Sequence, residues 1–160
     1  MRLEIGLALF LLAGALGGAQ TVHREATSPP DLSGTWKLNR NKSELRVWGK
    51  IAPETVVIVQ SERQIELKRQ INGSWFLARY PLDGHEQTVS TFDHHERVGR
   101  AHWSKRSLII EERTVGHFGG VPDFEDVEKT ATRWTLSSDG KVLTERHQER
   151  ATTSVFERQQ

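Results

Sequence analysis

The chain has no cysteine, and only one methionine, one tyrosine and five prolines in 160 residues. Without thiols there is neither a disulfide framework nor thiolate chemistry, so packing and sheet hydrogen bonds must hold the fold. A charge excess is missing too: 22 basic and 21 acidic residues are interspersed and leave a formal charge of +1. Proteins that bind nucleic acid concentrate basic groups to displace phosphate counterions, and no such concentration occurs here. No stretch sustains the 3.6-residue period of a confident amphipathic helix, and no serine sits in a G-x-S-x-G elbow.

What is present begins with Arg2 and an apolar run from Ile5 to Leu16, followed by Gly17, Gly18 and Ala19. The run is shorter than the about 20 residues of a membrane-spanning helix. It reads as a secretory signal peptide over residues 1–19, cut before Gln20, so the product is expected to be exported, periplasmic or extracellular, with no integral span. Residues 20–31 are polar, contain Pro29 and Pro30, and read as a flexible lead-in. Residues 32–160 then form one domain, long enough to bury an ordinary core.

From Leu32 onward, short runs rich in Val, Ile, Thr and aromatics recur between turn residues, the pattern of an all-β chain. Strands are expected at 33–39, 54–61, 64–71, 74–81, 86–92, 99–104, 107–114, 128–136, 141–149 and 152–158. Asn72-Gly73 and Asp83-Gly84 tolerate positive φ and suggest two-residue hairpin turns. The first pairs Arg69, Leu67 and Ile65 with Phe76, Ala78 and Tyr80. The second pairs Leu82, Tyr80 and Ala78 with His85, Gln87 and Val89, making this set the inner face. Trp75, Leu77 and Arg79 then point outward. A similar turn at Lys105-Arg106 turns Trp103, Ala101, Leu108, Ile110 and Glu112 inward. Trp134 and Leu136 also face inward, but the Ser138-Asp139-Gly140 loop leaves their partners open.

The string Asp31-Leu32-Ser33-Gly34-Thr35-Trp36-Lys37-Leu38-Asn39, with Lys42-Ser43, resembles the start of uncharacterised lipocalin-like proteins exported by acidobacteria and related bacteria. Tyr80-Pro81-Leu82-Asp83-Gly84 and Arg133-Trp134-Thr135-Leu136-Ser137-Ser138-Asp139-Gly140-Lys141 extend the resemblance over most of the chain. It implies a single antiparallel up-and-down β-barrel of about 8–10 strands. It also implies that Trp36 closes the base against an arginine of the last strand, with Arg158 first in order and Arg150 and Arg146 behind it. The T-D-Y motif, disulfide cysteines and C-terminal helix of classical lipocalins are absent.

Several groups invite chemistry. His94, His95 and His102 lie close together, with His117 and His147 available from other elements, but adjacent extended residues point apart, and a solvated loop is the favoured reading over a metal site. Glu111 and Glu112, neighbours on a strand, face opposite ways and cannot act as a pair. The glycine-rich stretch Gly116–Asp126 reads as a loop that could cover the barrel mouth. The sharpest candidate is Arg69, turned inward as an anchor for an anionic ligand, with an internal pair to Glu112 or packing at an end of the barrel as its alternative, since a buried lone guanidinium is costly. Tyr80, His85 and Gln87 complete a polar patch, with Phe76 and Trp103 as walls. The expected function is therefore binding of a small apolar or amphipathic molecule, with no catalytic constellation, cofactor or metal expected. The alternative is a structural or interaction protein of the cell envelope with a packed interior, meeting its partner through Trp75 and Leu77.

Overall fold

A computed structural model describes residues 28–45, 52–92, 95–118, 121–124, 129–149 and 151–160. The expected signal peptide and most of the lead-in lie outside these residues, as do His94, Gly119, Gly120 and Arg150.

Eleven strands follow in chain order: β1 (Gly34–Leu38), β2 (Thr55–Gln60), β3 (Gln64–Ile71), β4 (Ser74–Pro81), β5 (Gln87–Phe92), β6 (His95–Ser104), β7 (Ser107–Phe118), β8 (Val121–Phe124), β9 (Lys129–Leu136), β10 (Val142–His147) and β11 (Thr152–Arg158). Helical structure among the described residues is confined to a 3-10 turn at Arg40–Lys42, so no described helix could cross a membrane. Ten strands match those expected. The eleventh, β8, corrects the loop expected over Gly116–Asp126: β9 covers β7 only as far as Arg113, and β8 pairs the part of β7 beyond it.

Around the sheet the order is β4-β3-β2-β1-β11-β10-β9-β7-β6-β5, antiparallel throughout, with β8 alongside β7. Ten strands thus run up and down in a nearly closed barrel whose first and last strands pair. Turn chemistry sets the register between sequence neighbours. Asn72 and Gly73 take φ of 50° and 78°, the double positive φ of a type I′ turn. Ile71 then faces Ser74, Arg69 faces Phe76 and Ile65 faces Tyr80, as the sequence requires. Ser104 and Ser107 close the β6–β7 hairpin through another two-residue turn, in which Lys105 alone takes positive φ, 57°, the pattern of a type II′ turn.

Asp83-Gly84 does not behave as expected. The pairing of Leu82, Tyr80 and Ala78 with His85, Gln87 and Val89 does not form; β5 pairs with β6, and the barrel's opening lies between β4 and β5. Only Gly84 of this turn has positive φ, because the Asp83 carboxylate instead accepts from the His85 backbone N–H at 2.9 Å. Leu82 N–H still bonds to Arg63 on the β3 side, while Arg113 of β7 grips Glu86 with two bonds of 2.9 Å. The chain is therefore drawn away from β4 before β5 begins.

Alternate residues fill the base with Leu32, Trp36, Ile58, Leu67, Leu108, Trp134, Leu143 and Phe156, all buried. Trp134 and Phe156 stack with centroids 6.1 Å apart. Trp36 donates its indole N–H to Leu32 O at 2.9 Å, and the Arg158 guanidinium lies 4.3 Å over its ring. Arg158 also donates to the backbone carbonyls of Ser33 and Gly140, tying the residue before β1 and the last strand to the β9–β10 turn. Gly34 makes this possible: its φ is 138°, and a Cβ there would lie 2.9 Å from Arg158 Nη1. The base plug expected from Gly34-x-Trp36 is thus present, with Arg158 as its arginine.

Candidate functional site

Two rows of inward side chains meet across the lumen. One runs Trp36, Val56, Arg69, Phe76 over β1 to β4. The other runs Trp103, Leu108, Trp134, Glu145, Ser154 from β6 to β11. Each changes from apolar to ionisable partway along, and the two ionisable members face each other. Arg69 Nη2 lies 3.9 Å from Glu145 Oε1, an ion pair too long for a hydrogen bond.

The surroundings of this pair are specific. Trp134 lies beneath the guanidinium, 5.6 Å from ring centroid to Cζ, and its N–H is taken by Thr132 Oγ1 at 3.1 Å. His147, two residues beyond Glu145 on the same face of β10, brings Nε2 to 3.7 Å from the carboxylate. Only 4% of the Glu145 side chain is exposed, and no described donor comes within hydrogen-bonding distance of it. On the other side, Tyr80 Oη donates to Glu112 Oε1 at 2.5 Å, and Arg97 approaches the same oxygen at 3.8 Å. This bond spans the β4–β5 opening. It needs Gly99, where a Cβ would come within 3.0 Å of Glu111 O and 3.3 Å of both Tyr80 and Glu112.

Burial and charge act against each other here. Burial pushes the Glu145 carboxyl above its ordinary value, and Arg69 and His147 pull it back only in part. The Tyr80 phenol is also raised by burial, an effect that Glu112 reinforces and Arg69 opposes. Burial weakens the Arg69 charge, but Tyr80, Glu145 and Glu112 more than offset it and keep the guanidinium protonated. The cluster's two arginines and two glutamates balance in formal charge.

The sequence-derived candidates fare differently. Arg69 and Tyr80 join the cluster. Phe76 is cross-strand from Arg69 but 44% exposed at the barrel rim. Trp103 packs against the base core, in line with Glu145 but three strands away from it. His85 and Gln87 are exposed beside the opening, with Gln87 opposite Gly99 rather than Tyr80. Arg69 pairs with Glu145, while Glu112 belongs to Tyr80 and Arg97.

Glu145 and Thr132 escape the sequence reading, and His147 enters it only as a candidate metal ligand. Their signal is the alternation Leu143, Glu145, His147, legible once Leu136 is known to pair with Leu143 across the Ser137–Val142 connection. Outside the barrel, an open groove of about 360 Å³ beside the 3-10 turn includes Lys37, Asn39 and Glu157. Glu157 there is held by Asn39 and Lys42, and the groove has no buried ionisable group. Comparison with protein-family models finds none that matches the chain, and comparison with curated proteins likewise finds no match.

Proposed function

We propose that the protein is an exported, lipocalin-like carrier whose lumen takes one small amphipathic molecule, its polar end on the Arg69–Glu145–Tyr80 cluster and its apolar end toward Ile71 and Phe76. The observation that carries this reading is the Arg69–Glu145 pair. Glu145 is buried and Arg69 largely so, at considerable desolvation cost, yet the two charges stop short of contact at 3.9 Å. A pair serving stability alone gains most by closing to a bidentate contact of about 2.8 Å. A pair that leaves donors and an acceptor facing the lumen suits recognition of a third group. The plugged base leaves the other end of the barrel for entry.

The outward Trp75, 52% exposed, favours a second reading in which the barrel is a docking module. Titration with Nile red, an uncharged environment-sensitive dye, separates the two. Lumen binding predicts saturable one-to-one uptake that Arg69→Met weakens and Trp75→Ser leaves unchanged. Absence of saturable uptake, or sensitivity to Trp75→Ser alone, would remove the carrier reading.

A further inference from the structure

We propose, resting on the lumen-binding reading above, that the barrel selects an uncharged head group bearing a hydroxyl, which accepts from Arg69 and donates to Glu145, and discriminates against a carboxylate. The geometry of the pair points there. An oxygen about 2.8 Å from each atom closes a triangle on the 3.9 Å base with an angle of about 90° at that oxygen. The proton and lone pairs of a hydroxyl spread over a comparable angle, and a hydroxyl is both donor and acceptor. A ketone or ether could satisfy Arg69 only. An ammonium could satisfy Glu145 only, and would face Arg69 as a like charge.

The chemistry of the neighbours agrees. Glu145 is almost wholly buried, is an acceptor when ionised, and has no described donor in reach. A carboxylate set on Arg69 would bring its negative charge beside Glu145 and toward Glu112, which already accepts from Tyr80. Arg69 is therefore not the free cation that an anion-binding site requires, and the balanced cluster leaves no net positive charge to draw an anion in. Trp134 forms an apolar floor beneath the guanidinium, and Phe76 is next to Arg69 across β3 and β4, so an aliphatic portion could leave the head toward the rim.

The experiment is competition against lumen-bound Nile red at pH 8 with three probes of equal chain length: octan-1-ol, octyl methyl ether and octanoate. The ether is uncharged but cannot donate, so the alcohol should displace the dye at a roughly ten-fold lower concentration, the scale of one hydrogen bond to a charged group. The alcohol is more apolar than octanoate, so for that pair the readout is the ratio of displacing concentrations. Glu145→Gln, which leaves Arg69 without its carboxylate, should shift the ratio toward octanoate by roughly ten-fold or more. Parity of alcohol and ether, preference of the wild type for octanoate, or an unchanged ratio in a folded Glu145→Gln protein would overturn the proposal. Displacement by octanoate alone would defeat the head-group assignment while leaving the carrier reading in place. No displacement by any probe would count against both. The alcohol–ether comparison needs no variant, so it stands even if Glu145→Gln does not fold.

Discussion

Replacing Trp36 by alanine tests whether the barrel is held from its base. The indole is fully buried, its N–H is bonded to Leu32 O at 2.9 Å, and Arg158 covers its ring at 4.3 Å. Truncating a buried tryptophan to alanine costs about 3–5 kcal/mol, including the cavity it leaves. The unpaired Leu32 carbonyl and the lost cation–π contact place this case toward the upper end. A domain with a total stability of about 5–15 kcal/mol would lose much of its margin, and the melting temperature should fall by roughly 10–20 °C. Circular dichroism should follow the melt, since four other tryptophans confound fluorescence. Trp36→Phe, which keeps most of the ring but not the N–H, should cost about 1–2 kcal/mol. Arg158→Met should matter less in the Trp36→Ala background than alone, because its ring contact is then already gone. A fall below about 3 °C for Trp36→Ala, or strict additivity with Arg158→Met, would refute the base-plug reasoning.

Gly99→Val should destabilise the barrel by about 1–3 kcal/mol through overpacking, since even a Cβ meets Glu111 O at 3.0 Å. Urea midpoints check this, and a neutral result would mean that Tyr80 does not lie across β6. The raised value of Glu145 carries a pH signature. For an acid raised on folding, the contribution is fully present below the unfolded value, near 4.5, and is lost as pH rises through the folded value. Wild-type stability should therefore fall over that window relative to Glu145→Gln, and parallel urea midpoints from pH 4 to pH 8 would refute the shift. Arg69→Met should destabilise the fold by up to about 3–5 kcal/mol, because it strips a buried carboxylate of its partner. The loss should shrink at low pH, where Glu145 is protonated, and a pH-independent loss would count against the pairing.

Period-two alternation and turn residues made most of the barrel legible. Asn72-Gly73 and Lys105-Arg106 set the registers of β3–β4 and β6–β7, and with them the inward placement of Arg69, Tyr80 and Glu112. Gly34-x-Trp36 marked the base, and its resemblance to lipocalin-like proteins implied an arginine of the last strand. These features are local: two or three residues choose the backbone dihedrals, and the pleat then assigns every side chain of the hairpin to a face. Two matters escaped that logic. Asp83-Gly84 has the composition of a hairpin turn, but its carboxylate preferred the His85 N–H, and Glu86 was held by an arginine of β7. Glu145 lies 76 positions after Arg69 in the chain, and neither residue's surroundings in sequence reveal the other. Their meeting depends on how far successive strands are staggered and on where the barrel stays open, which is settled only when all ten strands close around one lumen. The inward faces of Arg69, Tyr80 and Glu112 therefore followed from the sequence, whereas the exposure of His85 and Gln87 and the partners across the lumen were decided by how the barrel closes.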